Sequence, residues 1–239
     1  MEVFLLVKIV LILIVIAIPL LLWKFKIKIH LKSFLSKGFK PKRSGFGTYC
    51  FTGKQGTGKT NALVAYLYDN KDKIFVFSNI HSIKIDGLSI RYFTGLKGLN
   101  DIKDVLDDYD NEIWSEIGSK QVIFVYDELF QELIRGSRVD KRTMDFLSQM
   151  RKRHIIFLTT CQDWGELPLT YRKMCRYQID CSIIPLIFTG LIFRRYRDAE
   201  NMKWDDQEQD FVAPLVKTEI EHTRLKVVNS FDTLEKIKS

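Results

Sequence analysis

No stretch of this chain limits its fold more than Gly53-Lys-Gln-Gly-Thr-Gly-Lys-Thr60. Three glycines so close together suit neither a helix nor a strand interior, so this is a loop of special backbone shape. It follows Phe46-Gly-Thr-Tyr-Cys-Phe-Thr52, rich in β-formers, and precedes Asn61-Ala-Leu-Val-Ala-Tyr-Leu-Tyr68, whose apolar spacing suits a helix. Strand, G-x-x-x-x-G-K-[ST] loop and helix, in that order, form a phosphate-binding P-loop. The glycines let backbone N–H groups turn inward on phosphates, and the helix N-terminus adds its partial positive charge. Gly53, Gln55, Gly56, Thr57, Gly58, Lys59, Thr60 and Asn61 are therefore the expected nucleotide contacts. Lys59 would reach the β- and γ-phosphates, and the Thr60 hydroxyl would join the shell of a Mg²⁺ ion.

Such a loop needs a carboxylate strand. Gln121-Val-Ile-Phe-Val-Tyr126 is a continuous apolar run, as a parallel strand covered on both faces should be, and it ends in Asp127-Glu128. Asp127 is placed to hold Mg²⁺ and Glu128 to polarise an attacking water. The competing reading is that both acids cap a helix over 129–134. Further buried-strand candidates are 73–78, 88–93 and 154–159, with helical patterns at about 97–117 and 139–152. This alternation predicts an α/β fold, a mostly parallel sheet with helices on both faces. The 154–159 strand leads into Thr160-Cys-Gln162, where a polar side chain would sit beside Asp127 and sense a γ-phosphate. Guanine recognition is not expected, because Asn70-Lys-Asp-Lys73 lacks the final aspartate of that signature and comes too early.

The N-terminus is of another kind. Residues 3–23, VFLLVKIVLILIVIAIPLLLW, are interrupted by one charge, Lys8. A helix of about 20 residues crosses the hydrocarbon core, and Lys8 near its end can snorkel to the interface. Pro19 is tolerated in such helices, and Trp23 falls where an interfacial aromatic would. A cleaved signal peptide would have a shorter apolar core, and a buried soluble helix would keep a polar face. Eight cations and no acid occupy 24–43, which by the positive-inside rule places the rest of the chain in the cytoplasm. The expectation is one transmembrane helix in the inner or host cell membrane. The parts are then an anchor at 1–24, a basic juxtamembrane linker at 25–45, a P-loop domain at 46–198 and a polar, irregular tail at 199–239.

Charge bears on partners. The chain has 37 Lys and Arg against 29 Asp and Glu, a net of +8. Removing the nine cations and one acid of residues 1–43 leaves 28 of each sign. The basicity thus belongs to the membrane-proximal segment, and the domain itself has no overall bias toward nucleic acid. With 46% apolar and 28% charged residues the composition is globular, which excludes wholesale disorder. Cys50, Cys161, Cys175 and Cys181 lack metal-ligand spacing and read as buried thiols.

Taken together, the P-loop, the strand closing in Asp127-Glu128 and the strand ending near Thr160 and Gln162 resemble the additional-strand, catalytic-glutamate class of P-loop ATPases. Within that class, Arg138, Gln149-Met-Arg-Lys-Arg153, Leu158-Thr-Thr-Cys-Gln162, Leu167-Pro and Tyr171-Arg172 are similar to the FtsK–HerA superfamily. Closest in character are the zonula occludens toxin-like ATPases of filamentous phage assembly. The resemblance covers about 46–182. It implies an ATP hydrolase in which Asp127 coordinates Mg²⁺, Glu128 is the catalytic base and Gln162 the sensor. It also implies a homo-oligomeric ring whose sites are completed by a neighbour's arginine, with Arg135, Arg138 and Arg172 as candidates and Arg138 foremost. The function implied is a membrane-anchored motor that moves DNA, bare or as nucleoprotein, in virion assembly, extrusion or packaging, alongside assembly or coat proteins. A membrane-tethered P-loop switch or scaffold that recruits partners without pumping is the alternative. The phage proteins commonly carry their span after the ATPase domain, whereas here it comes first. Finally, Ile183–Phe193 is too short to span a bilayer, and Pro185 and Gly190 divide it, which predicts a β-hairpin or, alternatively, a membrane-grazing loop.

Overall fold

In a computed structural model of the chain, the residues described are 45–133, 140–185 and 190–232, with Ile27–Ile29 and five helical positions at 13, 16, 17, 19 and 20. Alternating apolar side chains build the sheet between two cores. In chain order its strands are β1 (Ile27–Ile29), β2 (Gly47–Thr52), β3 (Ile74–Ser78), β4 (Ser89–Tyr92), β5 (Gln121–Tyr126), β6 (Ile156–Cys161), β7 (Cys175–Pro185) and β8 (Gly190–Asp198). Then come β9 (Lys203–Asp205), β10 (Asp210–Val212) and β11 (Leu215–His222). The helices are α1 (Lys59–Asn70), α2 (Gly95–Asp107), α3 (Ile113–Ile117), α4 (Lys141–Ser148), α5 (Leu169–Met174) and α6 (Leu225–Val228).

Nine strands form one sheet in the order β1-β11-β8-β7-β2-β6-β5-β3-β4. Every pairing in it is parallel except those of β8, which runs antiparallel to β7 and β11. Along β3 and β5, Phe75, Phe77, Phe124 and Tyr126 point into the core under α2 to α5, and Ile74, Val76, Ile123 and Val125 into the core under α1. Covering both faces is what makes these strands read as unbroken apolar runs, and each fully buried Phe or Ile contributes about 1.5–3 kcal/mol over an exposed one. The mostly parallel sheet flanked by helices is therefore as the sequence predicts.

Several boundaries differ from expectation. The pattern at 97–117 is two helices, because Asp108 and Asn111 accept hydrogen bonds from the backbone N–H of Asp110 (3.2 Å) and Ile113 (3.1 Å) and interrupt the helix between them. At 139–152 the helix is the shorter α4, started by Asp140, whose carboxylate accepts from the Thr143 N–H at 3.2 Å. The 88–93 segment is the half-exposed edge strand β4, not a buried one, since nothing pairs beyond it among the described residues. Of the 183–193 segment, 183–185 at the end of β7 pair antiparallel with 190–192 at the start of β8; 186–189 lie outside the described residues.

The largest correction concerns 199–232, the described part of the expected tail. It is not irregular: β11 joins the main sheet, and Val227 of α6 and Phe231 just after it pack into the α1 core. Arg224 grips Asp69 at the end of α1 through two hydrogen bonds of 2.6 and 3.1 Å. The physical reason lies in Arg194 of β8, which is buried and ion-paired to Glu219 and Glu221 of β11. A buried arginine requires such partners, and they place acids where a core strand would ordinarily show aliphatics.

Among the described residues no helix is long and apolar enough to cross a membrane. Most of the expected span at 3–23, and of the linker at 25–45, lies outside them. Leu13, Ile16 and Leu20 are helical and more than half exposed.

Candidate nucleotide site

At the C-terminal end of β2 the chain turns through Gly53 (φ +138°), Gly56 (+78°) and Gly58 (+84°) into α1. The β7–β8 hairpin dictates two of these glycines. A Cβ on Gly53 would lie 2.6 Å from the Cys181 carbonyl oxygen and 2.8 Å from Thr57 Oγ1, and one on Gly58 3.0 Å from Ile192 Cδ1. One on Gly56 would meet nothing within 4 Å. The Thr57 hydroxyl closes the turn by donating to the Lys54 carbonyl at 2.8 Å. Gly58 caps α1 without a side chain, leaving the first N–H groups of a 12-residue helix to face an anion. Lys59 is 9% exposed, and its ammonium donates to the carbonyls of Gly53 (2.7 Å) and Lys54 (3.0 Å), so it lies across the loop.

Gly53→Ala is accordingly expected to cost about 1–3 kcal/mol, from a backbone clash and a left-handed φ together. Gly56→Ala should cost about 1 kcal/mol, since only the conformational term remains. Thermal melts of both variants check the difference, and nucleotide titration should show the loss of affinity confined largely to the first.

Opposite the loop, β5 delivers Asp127 and Glu128. β6 lies between β2 and β5, so the acids sit on the next-but-one strand from the loop strand, not on an adjoining one. Asp127 is held from all sides. Asn79, at the end of β3, accepts from its N–H at 2.8 Å and donates to its carbonyl at 3.0 Å. The Thr60 hydroxyl lies 3.3 and 3.4 Å from the two carboxylate oxygens, and the Thr160 hydroxyl donates to one of them. Thr160 also accepts the Glu128 N–H at 2.8 Å, so one hydroxyl fixes both acids. Burial raises the Asp127 carboxyl above its ordinary value, against the lowering influence of the Thr160 and Thr60 hydrogen bonds and of Lys59. Burial first and the Asp127 charge second raise Glu128, with Lys59 opposing.

Glu128 adopts φ 54° and ψ 39°, a left-handed conformation unusual for a side chain of its size. The Asp127-Glu128 pair therefore caps no α-helix. Among the described residues a 3₁₀ turn, Leu129–Gln131, follows, and Gln131 donates to the Glu128 carboxylate. Strain of this kind costs about 1–3 kcal/mol and clusters at functional sites.

Thr60 thus meets Asp127, which Glu128 follows in the chain, and the Lys59 charge favours the ionised form of both acids. Gln55 is exposed on the loop, and Asn61 is half-buried in the first turn of α1. Gln162 lies just beyond β6, exposed, and the hydroxyl that reaches the acids belongs to Thr160 instead. Arg135 and Arg138 lie outside the described residues. Arg172 cannot serve a neighbouring subunit: it is 1% exposed, with Nη1 and Nη2 on the Asp210 carboxylate at 3.0 and 2.9 Å. Asn79 went unforeseen; its only sequence signal is a polar residue directly after the buried run Ile74–Ser78.

The residues fit a Mg²⁺–nucleotide. Thr60 and Asp127 offer oxygen donors only, the set a hard divalent cation prefers, and a side chain at Gly53 would obstruct the loop meant for phosphates. Fold and site together define a P-loop nucleotide-binding protein of the α/β type.

No protein-family model and no curated sequence matches the chain. Among solved structures it is similar to the N-terminal domain of zonular occludens toxin from Neisseria meningitidis, at 17% identity and a TM-score of 0.45, over 78% of this chain and 98% of that one. It is also similar to the genome packaging NTPase B204 of Sulfolobus turreted icosahedral virus 2, at 11% identity and 0.43, over 71% and 98%. A third is the KaiC-like protein PH0186 of Pyrococcus horikoshii OT3, at 12% and 0.42, over 70% and 88%. These are likenesses of fold.

Proposed function

We propose that this protein is a membrane-anchored ATPase motor that drives DNA translocation during phage or virion assembly, extrusion or packaging. One observation carries the reading: the Thr60 hydroxyl of the loop reaches the Asp127 carboxylate, and the Thr160 hydroxyl donates to that carboxylate while accepting the backbone N–H of Glu128. Lys59 would leave the Gly53 and Lys54 carbonyls for the β- and γ-phosphate oxygens and neutralise charge that grows there during transfer. Glu128, held by its own amide, would accept the proton of the attacking water at its carboxylate. Thr60 and Asp127 would hold Mg²⁺, which would supply neutralisation of the negative charge on the phosphates. Ring formation would bring an arginine from a neighbouring copy, with Arg138 the foremost candidate.

Membrane attachment is supported by the apolar run 3–23 and by exposed helical Leu13, Ile16 and Leu20. The cations of 24–43 favour a domain on the cytoplasmic side.

ATP turnover of the full chain, with and without single- and double-stranded DNA, tests the proposal. Stimulation by DNA and nucleotide-dependent rings are the expected results. Slow hydrolysis indifferent to DNA would overturn the motor and favour the tethered switch, a reading consistent with 28 cations and 28 acids in 44–239.

A further inference from the structure

The order of strands in the sheet gives a direction to any triphosphate held by the loop. On one side of β2, across β6, β5 delivers Asp127 and Glu128. On its other side lie β7 and then β8. Metal and base act at the terminal phosphate, so that end points toward β5. A nucleoside triphosphate carries its reacting phosphate at one end and its nucleoside at the other. The nucleoside would therefore leave the loop on the β7 side.

What stands there is the far end of the β7–β8 hairpin. Thr52, the last residue of β2, is level with Asp180, and β7 runs on from Cys181 to Pro185, about 16 Å further. Ile183 pairs with Ile192, so their side chains share one face of the hairpin. It is the face of the loop, since Ile192 Cδ1 lies 3.0 Å from where a Gly58 Cβ would be. Ile192 is buried by that contact, whereas Ile183, one strand nearer to β2, is only half-buried.

The backbone of the same stretch is open as well. Cys181 turns its carbonyl oxygen to Gly53, 2.6 Å from a Cβ placed there. By the alternation of a strand, Ile183 turns its N–H and C=O to the same edge. β2 has ended by that level, and among the described residues no strand pairs with the edge. Residues 181–193 contain no charged side chain. An apolar surface flanked by a main-chain donor and acceptor suits a flat base whose rim both accepts and donates. Arg194 of β8, buried and ion-paired to Glu219 and Glu221 of β11, fixes the hairpin to the next strand before any ligand arrives.

We infer that the end of the β7–β8 hairpin is the nucleoside subsite, with the base of bound ATP lying against Ile183 on the face shared with α1. The inference rests on the nucleotide reading proposed above and extends it to the residues that meet the base. Ile184, 52% exposed, belongs to the opposite face and takes no part.

Photolabelling of the full chain with 8-azido-ATP, which reacts from the base, tests the placement, the labelled peptide being found by mass spectrometry. Attachment within 181–184 or 190–193 is expected, and attachment elsewhere would overturn the inference. Equilibrium titration with ATP and with inorganic tripolyphosphate, both with Mg²⁺, gives a second readout, because tripolyphosphate has no nucleoside. Ile183→Ala is expected to weaken ATP binding several-fold and to leave tripolyphosphate binding unchanged, while Ile184→Ala changes neither. An equal loss for both ligands would mean that Ile183 merely supports the loop, and the subsite would be wrong. So would a native chain that binds ATP no more tightly than tripolyphosphate. Should Ile183→Ala fail to fold, the labelled position in the native chain still decides. A native chain that bound neither ligand would instead sink the nucleotide reading itself, and the subsite with it.

Discussion

Glu128→Gln is expected to bind ATP as the native protein does and to hydrolyse it roughly 10²- to 10⁴-fold more slowly, the usual worth of a positioned base. Glutamine keeps the shape and the half-buried setting but cannot accept the proton of water. Its backbone N–H would still reach Thr160, so the loop geometry should survive. Lys59→Ala is expected to fail differently. Removing the ammonium that spans Gly53 and Lys54 deletes the charge meant for the phosphates, and should cost about 10²- to 10³-fold in turnover as well as binding. Equilibrium nucleotide titration beside single-turnover hydrolysis separates them. If Glu128→Gln turned over ATP at the native rate, the assignment of the base would be wrong.

Asp210→Ala is expected to be the most destabilising single change away from the nucleotide. Arg172 is almost wholly buried whereas the Asp210 side chain keeps about a fifth of its exposure, so the acid's removal strands a buried cation while the reverse does not strand a buried anion. Breaking a buried pair in that sense costs about 3 kcal/mol, a fall in Tm of roughly 10 °C for a domain of this size. Arg172→Met alone should cost less, and the Arg172→Met/Asp210→Leu double variant should regain most of the loss, because apolar groups of similar volume carry no desolvation penalty. Thermal and urea melts of the three proteins check the order. Equal losses for the two single variants would mean that the pair is not what holds α5 to β10.

Much of this is legible from residue order because it depends on local pattern. The loop needs its glycines at fixed spacing, and β5 needs an unbroken apolar run before its acids; neither requirement involves distant sequence. The features that stay hidden depend on partners far along the chain. Nothing near Arg172 foretells Asp210, 38 residues later, so a buried structural cation reads as one available to a neighbouring subunit. In the same way β11 reads as a polar tail because Glu219 and Glu221 answer a buried arginine on another strand. Asn79 and Thr160 are single polar residues at strand ends, a common occurrence that acquires meaning only when register brings both to Asp127. Analogy of motif favours Gln162 over Thr160, and strand alternation would put both on one face. The difference is that β6 ends at Cys161, so Thr160 is held beside the acids while Gln162 lies beyond the strand, exposed.

The placing of β6 has a consequence for the chemistry. Had β5 lain directly against β2, the backbones would stand about 4.8 Å apart, a gap too narrow for a phosphoryl group with a water behind it. One interposed strand doubles the clearance to about 10 Å, enough for the terminal phosphate and its incoming nucleophile to stand in line between cradle and base. In the proposed ATPase the same strand would be the floor of the reaction chamber, and any push on it would alter the width of the gap between loop and acids.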